Sequence, residues 1–295
     1  MRTKTAMITI AGRPNVGKST LTNYLVGEKI AIVSNKPQTT RNRICGILTK
    51  GHCQYVFVDT PGFHKPRTKL GDYMVNVTKD SIADVDLTLL VVEPLASVGP
   101  QEQALIEQLQ AKKCPIVLVI NKIDAGKRDK LLITIDKFSQ LHDFASVIPI
   151  SALFNDGVDI VMDEIKPFLK EERWYFPEDV LTDMPEREIC SEIIREKLLR
   201  VLDDEIPHGT AVVIEDFKEN PKLIEIRAEI CCEKAAHKKI VIGKNGDTLK
   251  RIASYAREDM ESFFGQKVYL NLWVKVKENW RDRELHLNRL GFKND

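Results

Sequence analysis

No apolar run in these 295 residues exceeds the length of a β-strand, far short of the roughly 20 residues that cross a bilayer as a helix. A spanning helix is therefore not expected, which leaves only peripheral contact with the inner face of a membrane open. Met1-Arg2-Thr3-Lys4-Thr5 runs straight into an apolar stretch and leaves no room for a signal or transit peptide, so a cytoplasmic chain is expected. The six cysteines, at 45, 53, 114, 190, 231 and 232, contain no Cys-x-x-Cys, and the six histidines show no zinc spacing. Buried thiols in a reducing compartment are expected, and neither disulfides nor a Cys/His metal centre. Charge of one sign is missing too: 44 Lys and Arg face 43 Asp and Glu. There is no internal repeat, and a monomer is expected.

Against these absences stands Gly12-Arg13-Pro14-Asn15-Val16-Gly17-Lys18-Ser19. It fits the phosphate-binding P-loop, preceded by the strand-like Ala6–Ala11 and opening a helix, the context the motif requires. The loop's N–H groups would turn inward on phosphate oxygens, with the helix dipole adding to the anion site. Lys18 would reach the β- and γ-phosphates and the Ser19 hydroxyl would ligate Mg²⁺. No second P-loop occurs.

Asn121-Lys122-Ile123-Asp124 follows the apolar run 114–120 and selects the base. A carboxylate there accepts hydrogen bonds from guanine N1 and N2, a donor pair that adenine lacks. Asn121 would tie this loop to the P-loop, and the Lys122 stem would cover one face of the base. Ser151-Ala152 follows another strand-like run, and the Ala152 N–H could meet guanine O6. Asp59-Thr60-Pro61-Gly62 ends a strand; Asp59 would hold Mg²⁺ and the Gly62 N–H the γ-phosphate. Between them, Thr40, or as second choice Thr39, could close onto Mg²⁺ only while the γ-phosphate is present, which makes 36–41 a switch.

The first 170 residues alternate strands and helices, which implies an α/β fold with a parallel-rich sheet covered on both faces. Ile44–Thr49 and Gln54–Val58 read as one antiparallel edge hairpin. Expected helices cover 19–27, 66–82, 100–112, 127–142 and 156–169. We divide the chain into a P-loop domain at 1–172, an ordered, aromatic- and proline-bearing linker at 173–185, and a second domain at 186–295. That domain reads α-β-β-α-α-β, with strands 210–215, 223–231 and 266–276 and a helical tail over 277–290.

Two of its expected helices flank Gly243-Lys244-Asn245-Gly246. Gly-x-x-Gly between helices is the signature of a KH module, in which glycines let the backbone approach a sugar-phosphate chain and clamp about four unpaired nucleotides. Residues 173–295 hold 22 Lys and Arg against 24 Asp and Glu, so the domain as a whole is not basic. Locally, 234–251 carries six cations, among them Lys239, Lys244 and Lys250, against Asp247 alone, a patch suited to a phosphate backbone. Lys275, Lys277, Trp280, Arg281 and Arg283 could add contacts; for Trp280, anchoring the tail outweighs stacking on a base.

The ordered series Gly-x-Pro-Asn-Val-Gly-Lys-Ser-Thr, Thr-Thr-Arg, Asp-Thr-Pro-Gly, Asn-Lys-x-Asp and Ser-Ala over 6–153 resembles GTPases of the Era and tRNA-modification group. Joined to a type II KH domain, it is similar to the Era family over almost the whole chain. The resemblance implies that Gly12, Asn15, Val16, Gly17, Lys18, Ser19, Thr20, Asp59, Gly62, Asn121, Lys122, Asp124, Ser151 and Ala152 bind GTP or GDP. It also implies that Ser19, Thr40 and Asp59 hold Mg²⁺, that Lys18, Thr40 and Gly62 act in hydrolysis, and that Lys239, Gly243, Lys244, Asn245, Gly246 and Lys250 bind single-stranded RNA. Phe63 stands where other GTPases place a water-orienting glutamine, a replacement the family shares; slow intrinsic turnover is expected. Asn15 matches a P-loop asparagine that helps hold K⁺ in some members. His64 is a weak alternative base, and Arg41, Arg43 and Arg67 are expected as solvated switch charges. The implied target is the 3′ region of 16S ribosomal RNA in 30S subunit assembly, with nucleotide and RNA binding coupled. Rivals are a GTPase acting on another RNA class such as tRNA, or an inert GTP-binding scaffold. The tRNA-modification system would bring a helical domain around the GTPase and a reactive C-terminal cysteine, neither of which is expected here.

Overall fold

The computed structural model describes residues 2–292 except 64, 67, 83, 84, 96, 126 and 127. Two compact units emerge, Met1–Pro66 with Met74–Asp183 and Arg67–Tyr73 with Met184–Asp295.

The first contains β1 (Lys4–Ala11), α1 (Lys18–Val26), β2 (Ile44–Lys50), β3 (Cys53–Asp59), β4 (Leu87–Val92), α3 (Pro100–Ala111), β5 (Ile116–Ile120), α4 (Arg128–Ser139), β6 (Ser146–Pro149) and α5 (Val158–Ile165). α2 (Lys69–Asp80) follows β3. The six strands lie in the order β2-β3-β1-β4-β5-β6, and only the β2–β3 pair is antiparallel. β4 and β5, Leu-Thr-Leu-Leu-Val-Val and Ile-Val-Leu-Val-Ile, are buried along their whole length, as strands covered on both faces must be. Gly99 and Pro100 start α3, where the missing proline N–H costs nothing. The helices are shorter than the periodicity suggests: α5 begins only after Gly157, at φ 75°, and ends in a 3₁₀ turn, Lys166–Phe168.

Segment 173–183 is tied to the hairpin edge. Gln54 exchanges two hydrogen bonds with the Phe176 backbone at 2.9 and 3.0 Å, the Ile47 N–H reaches the Leu181 carbonyl at 2.8 Å, and the Cys45 N–H reaches Asp183 Oδ1 at 3.1 Å. The Ile47 and Cys45 bonds occupy part of the open edge of β2, which would otherwise present unpaired backbone groups.

The second unit comprises α6 (Glu186–Val201), β7 (Thr210–Asn220), β8 (Leu223–Cys232), α7 (Ala235–Ile242), α8 (Asp247–Phe264), β9 (Lys267–Val276) and α9 (Glu284–Arg289). Its sheet runs β7-β8-β9, antiparallel then parallel, and the core gathers Ile194, Leu198, Ile226, Ile230, Ile252 and Met260. β7 continues to Asn220 and does not stop at Glu215, because a bulge between Ile214 and Asp216 restores the inward alternation with Phe217. The expected helical tail is reduced to a 3₁₀ turn, Trp280–Asp282, and the six-residue α9.

Candidate functional site

Four of the five motifs lie at the C-terminal ends of β1, β3, β5 and β6, and Thr39-Thr40-Arg41 reaches the same edge by preceding β2, whose antiparallel start pairs with the end of β3; ligands bind at this edge in open α/β folds. A cleft of about 340 Å³ runs from the P-loop past the 32–40 segment to Lys122. α1 starts at Gly17 without a side-chain cap, so its first N–H groups face the cleft's anion position unspent. Lys18 is buried and its ammonium donates to the carbonyls of Gly12 (3.3 Å) and Arg13 (3.0 Å). Burial pushes its pKa down to about 8, against the opposing pull of Asp59.

Asp59, itself fully buried, is raised above the usual carboxylate range by desolvation, with Lys18, Ser19, Thr40 and the Thr60 N–H pulling the other way. The Ser19 hydroxyl donates to Asp59 Oδ2 at 2.7 Å; Thr40 Oγ1 lies 2.8 Å from Ser19 Oγ and 3.4 Å from the same carboxylate oxygen. Asp59 Oδ1 has no hydrogen-bond partner among the described residues. Two hydroxyl oxygens gathered at Oδ2 of a buried carboxylate whose other oxygen is orphaned form a hard-oxygen set that fits a small divalent cation such as Mg²⁺. Thr39, by contrast, donates to the Lys36 carbonyl at 2.7 Å.

Gly62 passes so close to the P-loop that a Cβ would lie 2.5 Å from Pro14 Cα, and the next residue, Phe63, donates its N–H to the Gly12 carbonyl at 3.0 Å. The Phe63 ring packs against the core cluster built on β4, β5 and α3 and offers nothing to orient water. Asn15 takes φ 66° and donates its amide to the Asn35 carbonyl at 3.0 Å, joining the P-loop to the switch segment. Val16 is buried, and Thr20 sits half-buried beside Ser19 in the cleft.

On the base side, Asn121 donates to the Val16 carbonyl (2.8 Å) and accepts from the Ala152 N–H (2.9 Å), tying three loops together. That second bond occupies the donor expected for guanine O6, so an O6 contact has to share it. The Ser151 hydroxyl donates to Asp124 Oδ1 at 2.5 Å and orients the carboxylate. Lys122 donates to the Asn15 carbonyl at 2.6 Å and pairs with Glu93. Sequence reasoning passed over Glu93; its position just past the C-terminal end of β4 was the available signal. It also passed over Asn23, which holds the Ile30 and Ala31 N–H groups (3.1 and 2.9 Å) and so fixes the chain just before the 32–40 segment that lines the cleft.

Arg41 departs from the expectation of a solvated charge: it is buried, only 2 % exposed, while Arg43 stays in solvent 3.8 Å from Asp183. His64 and Arg67 lie outside the described residues.

In the second unit, α7 ends at Gly243 and α8 begins after Gly246. A Cβ at Gly243 would lie 2.2 Å from Thr248 Oγ1 and 2.8 Å from its backbone nitrogen, so only glycine fits the turn. Asn245 takes φ 53°, and α8 opens without a side-chain cap. Lys239, Lys244, Asn245 and Lys250 are exposed around this loop, an arrangement open to a phosphate chain.

Three of the tail cations, Lys275, Lys277 and Arg281, are paired with carboxylates. Lys277 (2.7 Å) and Lys275 (3.4 Å) face Glu229; its burial would raise the carboxyl pKa, but the two lysines and the Cys231 thiol hold it at about 2. Arg281 pairs with Glu233 at 2.6 Å. Trp280 is fully buried, donates to the Gly209 carbonyl at 2.9 Å and stacks on Phe292, so it anchors the tail.

The family model for a 50S ribosome-binding GTPase matches residues 7–122, and that for a KH domain matches 205–281. The chain is 51% identical to GTPase Era of Ruminiclostridium cellulolyticum over 294 residues, 99% of each chain, and 51% identical to that of Clostridium kluyveri over 291 residues, 98% of this chain and 99% of the relative. Two solved structures, each 36% identical over 99% of this chain and 100% of theirs, superpose with TM-scores of 0.95 and 0.94. The first is Era with MgGDPNP and nucleotides 1506–1542 of 16S ribosomal RNA; the second is a variant of Aquifex aeolicus Era bound to GDP and aluminium fluoride.

Proposed function

Since this chain belongs to the Era family of GTPases, we propose that its hydrolysis of GTP to GDP and phosphate times its binding to the 3′ region of 16S ribosomal RNA and so assists assembly and maturation of the 30S subunit. The observation that carries the GTPase half is the convergence of Ser19, Thr40 and Asp59 beside the buried Lys18. The RNA half is supported by the clamp loop at Gly243–Gly246 and by the ribosomal fragment held by the relative of the same fold.

Each side chain has a task in this reading. Lys18 leaves the P-loop carbonyls for the phosphates. Asp124, oriented by Ser151, accepts from guanine. Gly62 offers its N–H to the γ-phosphate, and Thr40, seated beside Ser19 and Asp59, completes the Mg²⁺ site of the GTP-bound state. Mg²⁺ bound there would neutralise charge on the β- and γ-phosphates. Phe63 supplies no water-orienting group, so turnover is slow. Asn15, tied to the Asn35 carbonyl, is the residue through which K⁺ would act; its replacement by alanine would then equalise GTPase rates in K⁺ and Na⁺.

The GTPase domain is 1–172 and the RNA-binding domain 186–295, joined by 173–185. No described helix is long and apolar enough to cross a membrane; we place the chain in the cytoplasm as a monomer, with any contact at the inner membrane face peripheral. Crosslinking the protein to cellular RNA and sequencing the fragments tests the reading. Reads should accumulate at the 16S 3′ end, and recovery of mainly tRNA or messenger RNA would overturn it.

A further inference from the structure

Outside the nucleotide cleft, the first unit carries a second trough of about 300 Å³, between α2 and α3 and bordered by the loop after Gly62. Val75 and Lys79 of α2, and Gln101, Ala104 and Gln108 of α3, recur at helical spacing, so each helix turns one face to it. Phe63, Val75 and Ala104 are half-buried and give the trough an apolar lining. Lys65 and Lys79 stand exposed beside them and make no ion pair among the described residues. The side-chain amides of Gln101 and Gln108 make no hydrogen bond among those residues either, and no carboxylate of theirs lines the trough.

Two uncommitted cations beside an apolar strip, with no acid among them, complement a segment that carries both apolar and acidic side chains. Small-molecule sites enclose most of their ligand, which a trough with exposed walls does not. An amphipathic helix can instead lie along it, with an apolar anchor on the strip and carboxylates toward Lys65 and Lys79. A nucleic-acid strand would find only these two cations, among the described residues, for its phosphates.

Each wall of the trough is bonded to the phosphate machinery. Thr78, buried on α2, donates to the Pro61 carbonyl at 3.0 Å. The Phe63 N–H donates to the Gly12 carbonyl at 3.0 Å, and Glu102, buried on α3, accepts from Arg13 of the P-loop at 2.7 Å. Gly62 lies between Pro61 and Phe63, so a γ-phosphate drawing on its N–H acts on two of the three walls. We propose that the trough between α2 and α3 docks an acidic amphipathic segment of a partner protein, with an affinity that depends on whether GTP or GDP is bound. By reciprocity, a docked partner shifts the chain's preference between the two nucleotides. The nucleotide dependence rests on the reading of Gly62 as a γ-phosphate donor.

The test selects random peptides of about three helical turns on the full chain loaded with Mg²⁺ and a non-hydrolysable GTP analogue. Enriched peptides should combine Leu, Phe or Met with Asp or Glu at helical spacing. Lys65→Glu combined with Lys79→Glu, both at exposed positions, should melt and hydrolyse GTP as wild type does and bind such a peptide at least about 10-fold more weakly. Ala104→Trp, which fills the trough, should weaken it as much. Wild-type affinity for the peptide should differ by about 5-fold or more between the analogue and GDP. No enriched peptide, undiminished binding by both variants, or equal affinity in the two nucleotide states overturns the proposal. So does a dimer of the chain that charge reversal dissociates, which makes a second copy the occupant, or loss of 16S 3′ oligonucleotide binding on charge reversal, which assigns the trough to RNA. Gly62→Ala, measured with nucleotide alone, should weaken the analogue more than GDP; an equal effect on both faults the Gly62 reading and overturns the nucleotide dependence while leaving the docking surface.

Discussion

Ser19 Oγ stands 2.7 Å from Asp59 Oδ2, while the second oxygen of that fully buried carboxylate has no hydrogen-bond partner among the described residues. A buried carboxylate left half satisfied is costly, and a cation held by both residues removes the cost. Ser19→Ala is therefore expected to weaken GDP binding in magnesium buffer by roughly 10- to 100-fold, and hardly at all in EDTA. Titration of a fluorescent GDP under both conditions checks this; an equal loss with and without magnesium would mean that Ser19 contacts only the phosphates.

Lys18 binds a proton with a pKa near 8, lowered from 10.5 by burial. Between those values the unfolded chain carries a proton at this residue that the folded chain does not. Stability of the nucleotide-free protein through this group therefore rises as pH climbs from about 8 to 10.5. Nucleotide binding runs the other way, since phosphates favour the ammonium. Above pH 8 the protein must take up a proton on binding, so affinity should fall with pH by up to about tenfold per unit. Calorimetry at pH 8.5 in two buffers of different ionisation enthalpy should show that uptake, and its absence would place the Lys18 pKa well above 8.

Asp124 is held by the Ser151 hydroxyl at 2.5 Å, which leaves its other oxygen for the base. Asp124→Asn turns an acceptor toward guanine N1 and N2 into a group with one donor face. GTP affinity should drop at least ~10²-fold, while XTP, with a carbonyl in place of the 2-amino group, should bind the variant more tightly than GTP does. Competition between the two nucleotides for the variant decides it; continued preference for GTP would show that Asp124 does not read the base.

The P-loop, Asp59 and the Asn-Lys-x-Asp loop were legible because each combines a local backbone requirement with a chemically specialised side chain at a strand end. The parallel-rich sheet, its antiparallel edge hairpin and the buried run that becomes β5 followed from alternation and composition in the same way. What stayed hidden depends on partners distant in sequence. Nothing in Thr-Thr-Arg distinguishes a solvated Arg41 from the buried one. The cations Lys277 and Arg281 look free until folding sets them against Glu229 and Glu233. Likewise the Ala152 N–H becomes engaged only because Asn121 lies across the sheet edge from it. The extension of β7 was missed because its bulge shifts the inward alternation by one residue.

Trp280 separates two roles by experiment. Its ring is stacked on Phe292 at 6.1 Å between centroids, and its N–H is committed to the Gly209 carbonyl. Trp280→Ala opens a large cavity and strands that carbonyl, and should cost about 3–5 kcal/mol in the second unit. Trp280→Phe keeps most of the stacking volume and loses chiefly the hydrogen bond, about 1 kcal/mol. Because the chain has two units and need not unfold in one step, amide exchange of β7 and β8 is the appropriate measurement. In the phenylalanine variant RNA affinity should be unchanged. A base stacked on this ring would instead make RNA affinity fall in the alanine variant while exchange in β7 and β8 stayed as in wild type.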